Sequence, residues 1–189
     1  ACARTAIGRS TVMLIRRAQT ADLDDVLSVE SAAFDTDEEA NLVSELLTDA
    51  SAQPAVSLLA FENDRAVGHI LFTRARLEPA SPLSVALLAP LAVVPEFQRR
   101  GIGGRLIEQG VQALSAAGTD LVFVLGYQDY YSRHGFRPAG VQGFDAPYPV
   151  PPEHADAWMV RALRPGVKGG RRATVVCADV LNRPEYWRE

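Results

Sequence analysis

Between Leu91 and Leu106 the chain reads LAVVPEFQRRGIGGRL, an apolar strand that passes through a short turn into a glycine-rich loop, which then opens a helix. Gly101, Gly103 and Gly104 carry no Cβ, so the backbone there can turn tightly and bring its N–H groups close to an anion. The helix that follows adds its unpaired N-terminal donors and about half a positive charge from its dipole. Two better-known phosphate loops fail on spacing. No Lys-Ser or Lys-Thr pair follows the glycines, and Leu106 stands where a dinucleotide fingerprint needs glycine. The segment therefore predicts a pyrophosphate cradle of another kind, with Arg99, Arg100 and Arg105 clustered where phosphate oxygens would accept charge-assisted hydrogen bonds.

These same residues carry a family resemblance. Gln98, Gly101 and Gly103, with Gly104 behind, match the Q/R-x-x-G-x-G/A signature of the GNAT superfamily of acyl-CoA N-acyltransferases, and the preceding LAVVPEF strand matches with them. Downstream, Tyr131, Gly135 and Phe136 in YYSRHGF resemble that superfamily's Y-x-x-x-G-F element. The start, LIRRAQTADLDDVLSVE, resembles its first strand and first helix, and the C-terminal third, with PYPVP and RPEYW, resembles bacterial acetyltransferases of the YhbS type. The resemblance implies an α/β fold built on a mixed α+β sheet, mostly antiparallel, with strands 4 and 5 parallel and splayed apart and with helices on its flanks.

Composition bounds the rest. A chain of 189 residues that is 48% hydrophobic and 22% charged can bury one core without disulfides. Residues 1–12 read as an N-terminal extension, disordered or left from cloning, and residues 13–189 as a single acetyltransferase domain. No apolar run approaches membrane-spanning length, and the first residues lack the apolar core of a secretory signal. Two cysteines, Cys2 and Cys177, suit a reducing cytoplasm and are too few for a disulfide framework or zinc site. The expectation is a cytoplasmic protein with no metal and no membrane partner. A net charge of −4 argues against a nucleic-acid surface. Edge pairing at the C-terminal strands makes a homodimer possible.

Along the chain, apolar spacing predicts helices over 21–33, over the acidic-led segment around Leu42 to Leu47, and over 103–117. Asn63-Asp64 predicts a hairpin turn. Pro90, within the strand LSVALLAPLAVV, predicts a bulge or exposed edge. LVFVLG reads as a buried parallel strand, DYYSRH as a short helix and GFRPAG as the start of a further strand. DAPYPVPP reads as a stiff loop folded over the active-site side, and Trp187 as a surface anchor.

The resemblance also implies chemistry: acetyl-CoA as co-substrate and transfer of its acetyl group to a primary amine on a small molecule or peptide. Main-chain groups of Leu91, Ala92 and Val93 would pair with the pantetheine arm as an added strand. Gln98, Arg99, Arg100, Gly101, Ile102, Gly103 and Gly104 would hold the pyrophosphate. The Leu91 N–H would stabilise the oxyanion, and Tyr131 would donate a proton to the leaving thiolate, a phenol of ordinary pKa about 10 being suited to an acid. Tyr130 competes for that role. Many members of the superfamily carry a glutamate on the fourth strand as base; here Ser84 to Ala89 contains no carboxylate, which leaves water or Asp35, Glu38 and Glu39. Asp156, Trp158 and Tyr148 are candidates to line the acceptor pocket, and His69, His134 and His154 are assigned no catalytic role. Two alternatives stay open: a module that binds acyl-CoA without turnover, and an enzyme using a longer acyl chain.

Overall fold

The computed structural model describes residues 12–167 and 170–188, so most of the expected N-terminal extension, with Cys2, lies outside the described residues. The elements in chain order are β1 (Met13–Arg17), α1 (Leu23–Phe34), α2 (Glu38–Thr48), β2 (Val56–Glu62), β3 (Arg65–Glu78), β4 (Val85–Val93), α3 (Ile102–Ala116), β5 (Leu121–Leu125), α4 (Gln128–Ser132), β6 (Arg137–Pro138), β7 (Phe144–Asp145), β8 (Trp158–Ala162) and β9 (Ala173–Val176).

β2 and β3 form the expected hairpin because Asn63 and Asp64, at φ 47° and 66°, both take the left-handed conformation that a tight two-residue turn requires. The main sheet runs β1-β2-β3-β4-β5-β8-β6. β4 and β5 pair in parallel from Val85↔Leu121 to Leu87↔Phe123, and the pairing ends there although β4 continues to Val93. This is the splay of strands 4 and 5. On its other edge β4 stays on β3. Ile70 faces Leu91 and Phe72 faces Leu88, which leaves one more residue on β4 than on β3 between those pairs, a bulge over Ala89 and Pro90.

Alternation along the strands divides the core in two. Leu71, Leu87 and Phe123 point to the face covered by α1 and α2, with Val26, Val43 and Leu46. Phe72, Leu88 and Val122 point to the opposite face, where α3 supplies Ile102, Leu106 and Ile107. α3 lies close to β3 because Gly110 leaves room for the Phe72 ring, which a Cβ there would overlap.

GFRPAG begins the next strand as expected, a two-residue one at Arg137–Pro138, and β8 is the strand that lies between it and β5. Two expectations about the C-terminal third need correction. The proline-rich loop packs away from the cleft described below: Tyr148 donates from Oη to the Asn182 carbonyl (3.2 Å) and Oδ1 (3.0 Å), and Val150 packs on the α1/α2-side core. Trp187 is buried, 3% exposed, its Nε1–H donating to the Leu181 carbonyl at 2.9 Å and its ring meeting Trp158 edge-on. The tail turns inward because β9 adds to the far end of β3 through Arg76↔Val176 and carries the following residues over the core.

Candidate active site

Where β4 and β5 part, a cleft of about 840 Å³ opens between the free edge of β4, the first turn of α3 and the short helix α4. Leu91 and Val93 form its strand wall, Gln98, Arg99 and Gly101 its loop, and Ile102, Gly103 and Gly104 the start of α3. Tyr127, Tyr130 and Tyr131 close the far side. Ala92 alternates inward and is buried behind the wall.

The loop's shape has local causes. Pro95 begins a short 3-10 turn, after which Gln98 donates from Nε2 to the Val93 carbonyl at 3.0 Å and folds the chain back onto β4. Arg99 and Gly101 both take the left-handed conformation, at φ 59° and 79°, a turn that brings main-chain donors toward a common side ahead of the helix. The 15-residue helix α3 then presents its unpaired N–H groups to the cleft. Gly103 and Gly104 have a second function: a Cβ at 103 would run into the Tyr130 hydroxyl, and one at 104 would lie 2.7 Å from the His134 ring. Small residues here let α4 close on α3.

The cations divide. Arg99 and Arg105 line the cleft, joined by Arg133, which the sequence reading missed although it lies inside the YYSRHGF element. Arg100 turns its guanidinium away, pairing with Glu62 and lying 5.0 Å from the Phe97 ring centre. Its side chain therefore does not join the cluster expected from its neighbours, because the carboxylate across the sheet edge claims it. Glu108 also lines the cleft, held by Arg161 at 2.7 Å, and that guanidinium keeps its carboxyl below the usual range.

Tyr131 is 9% exposed, its ring edge-on to Phe136 and Tyr130, and Gly126 leaves the space its ring occupies. Tyr130 is more open, and burial pushes its phenol above the ordinary value. His134 packs against Tyr130 with ring centres 5.1 Å apart.

Of the carboxylates considered as bases, Asp35, Glu38 and Glu39 do not border the cleft; Glu39 accepts from the Thr36 hydroxyl at 2.9 Å. Leu87 and Leu88, the two residues of β4 in the neighbourhood where the resemblance would place a glutamate, are both buried, Leu87 in the α1/α2-side core and Leu88 in the α3-side core. Trp158, considered for an acceptor pocket, is a core residue stacked on Phe123 with its Nε1–H donating to the Phe144 carbonyl at 3.1 Å. Asp156 lies with Glu153, His154 and Gln128 in a neighbouring cavity of about 430 Å³ that shares Tyr127 with the cleft. Cys177 is buried, its thiol pushed up to about 11, and is inert as a nucleophile. Among the described residues no group of His, Cys, Asp and Glu side chains could hold a metal ion, and no helix is long and apolar enough to cross a membrane.

The cleft thus combines a donor-rich helix start, three arginines and an open strand edge, which fits an elongated ligand with phosphates at one end. Comparison with known proteins agrees. Residues 14–139 match the acetyltransferase (GNAT) domain. The chain is 54% identical over 145 residues to YjhQ of Escherichia coli K12, an uncharacterised N-acetyltransferase, covering 75% of this chain and 80% of the relative. It superposes on the crystal structure of E. coli YhbS in complex with CoA with a TM-score of 0.80 at 26% identity, over 92% of this chain and 94% of that one. A GNAT acetyltransferase from Brucella melitensis in complex with acetyl-CoA gives a TM-score of 0.70 at 27% identity, over 90% and 98% of the two chains. The motifs, the splayed sheet and these likenesses together make the chain a member of the GNAT acetyltransferase family, an acyltransferase by class.

Proposed function

We propose that the protein transfers the acetyl group of acetyl-CoA to a primary amine by direct attack of the amine on the thioester. The observation that carries this reading is the open edge of β4 beyond Leu87, which ends beside the start of α3 and faces Tyr131. The loop from Arg99 to Gly104 would hold the pyrophosphate, with Arg99 and Arg105 as charged donors, and Leu91 to Val93 would pair with the pantetheine arm in the manner of an added strand. Bound there, acetyl-CoA supplies the activated acyl group.

The remaining steps fall to this chain's own groups. The Leu91 N–H, next to the bulge, would face the negative charge that develops on the thioester oxygen, a contact worth about 3 kcal/mol in a preorganised, dry site. Tyr131 would protonate the departing thiolate. Neither Leu87 nor Leu88 offers a carboxylate, so the ammonium of the acceptor, with a pKa of about 10.4 for a lysine-like amine, would lose its proton to water in the open cleft. The acceptor would approach from the cavity that holds Asp156 and adjoins the cleft at Tyr127.

The test is CoA release from acetyl-CoA with a panel of primary amines, with Tyr131→Phe as control. The reading expects turnover with some amine, and a rate that rises about tenfold per pH unit below the amine's pKa because only the free base attacks. Tight acetyl-CoA binding with no release above background for any amine would favour a binding module, a reading to which the apolar Leu87 lends support. Faster release from longer acyl-CoAs would change the donor and keep the enzyme.

A further inference from the structure

On the α1 face of the sheet, behind the cleft, two buried polar side chains and the half-buried Ser57 form a chain that the proposed chemistry does not use. His69 on β3 and Glu30 on α1 are both 0% exposed, with Nδ1 and Oε1 2.5 Å apart, and His69 Nε2 lies 2.8 Å from the Ser57 hydroxyl on β2. Two bare lone pairs do not approach that closely, so a proton lies between Nδ1 and Oε1. The second Glu30 oxygen, Oε2, is buried with no hydrogen-bond partner among the described residues. Burial pushes the Glu30 carboxyl above the ordinary range, His69 pulls it back, and Glu39 on α2 adds like charge. A site this dry favours the form of the pair with no net charge.

The position of the chain matters more than its protonation. His69 stands opposite Ala92 in the β3/β4 register, and Ala92 and Val94 pack with Val29, the residue before Glu30 on α1. α1 therefore rests on the back of β4 through Val29 and is tied to β3 and β2 through Glu30, His69 and Ser57. That part of β4 has lost β5, so its support comes from β3 at one edge and from the helices above and below. A strand edge that is to receive a ligand as its next strand must be held at a fixed height, and this chain ties α1 to β3 directly opposite Ala92.

We propose that Glu30, His69 and Ser57 are a positioning set for the pantetheine arm: by fixing α1 on the back of the sheet they hold Leu91 to Val93 where the main chain can pair with it. This rests on the acyl-CoA reading above. The hydrogen bonds of the set involve no residue of the phosphate cradle, which the start of α3 and its loop build.

The experiment is calorimetric titration of the wild type, His69→Gln, Ser57→Ala and Glu30→Gln with two probes, CoA and its adenosine bisphosphate half, which lacks the arm. His69→Gln is expected to weaken CoA about tenfold, the size of one lost hydrogen bond, and Ser57→Ala less, while both keep the bisphosphate affinity within about twofold. Glu30→Gln, which keeps a polar partner for His69 and mimics the neutral pair, is expected to bind CoA as the wild type does. Ser57→Ala decides the matter if His69→Gln does not fold. CoA binding unchanged in His69→Gln and Ser57→Ala, or CoA and bisphosphate weakened alike, would overturn the positioning role with the acyl-CoA reading intact. A wild type that binds neither probe would instead overturn that reading.

Discussion

From Val85 to Leu87, β4 is flanked by β3 on one side and β5 on the other, and its side chains alternate between the two cores. From Leu88 to Val93 the same strand keeps β3, passes through a bulge and has no pairing to β5; Leu91 and Val93 face the cleft there. Composition hardly changes across the boundary. What changes is the fate of the main-chain groups on the β5 side: in the first half β5 pairs with them, and in the second it does not, so strand pairing separates framework from cleft in this molecule.

That contrast can be broken from either side. The largest effect is expected on the framework side, from Phe123→Ala on β5, whose ring stacks on Trp158 and meets Phe144 edge-on. Thermal or denaturant melts should show a loss of about 3–5 kcal/mol, and the protein that remains folded should bind acetyl-CoA unchanged. A parallel loss of affinity in the folded fraction would mean that framework and site are not separable. On the site side, Tyr131→Phe should lower kcat about a hundredfold with little change in acetyl-CoA affinity, whereas Tyr130→Phe should change kcat by no more than about threefold. Reversal of the two would assign the acid role to Tyr130.

Gly101→Val ranks next. Nothing lies within 4 Å of where a Cβ would stand, yet φ is 79°, so the substitution strains the backbone of the cradle without touching a core. Acetyl-CoA should bind about tenfold more weakly, and the same strain should cost about 1–3 kcal/mol of stability. Smallest is Asp22→Asn at the exposed start of α1, remote from both halves of β4. Asp22 is held to about 2 by the Arg16 guanidinium and by the Gln19 N–H, against an ordinary 3.8. A depressed carboxyl adds stability that is full above the unfolded value and fades as pH falls through the folded one, so Asp22→Asn should flatten the acid limb of a stability–pH curve between about 4 and about 2. Activity at neutral pH should not change.

What could be read from the sequence follows the same division. That Gly101, Gly103 and Gly104 border a cleft was legible because a loop that would hold an anion by main chain demands missing side chains at fixed spacing, and Pro90 announced the bulge because it cannot donate to a ladder. Tyr131 was legible through its motif. Side-chain direction was not: nothing local says that Arg100 pairs with Glu62, 38 positions earlier, or that Trp158 and Trp187 meet edge-on in the core instead of lining a pocket and the surface. Nor could Glu30 and His69, 39 residues apart, be joined without the fold that lays α1 on β3. The proline-rich loop was read by its stiffness, which is real, and misplaced because its anchor, Asn182, comes from a distant segment.

The central claim is that the open half of β4 and the start of α3 form an acetyl-CoA site. Calorimetric titration of the wild type and Gly101→Val with acetyl-CoA tests it most directly. The account predicts micromolar binding by the wild type, weakened about tenfold in the folded variant. No binding by the wild type, or equal binding by both proteins, would contradict it.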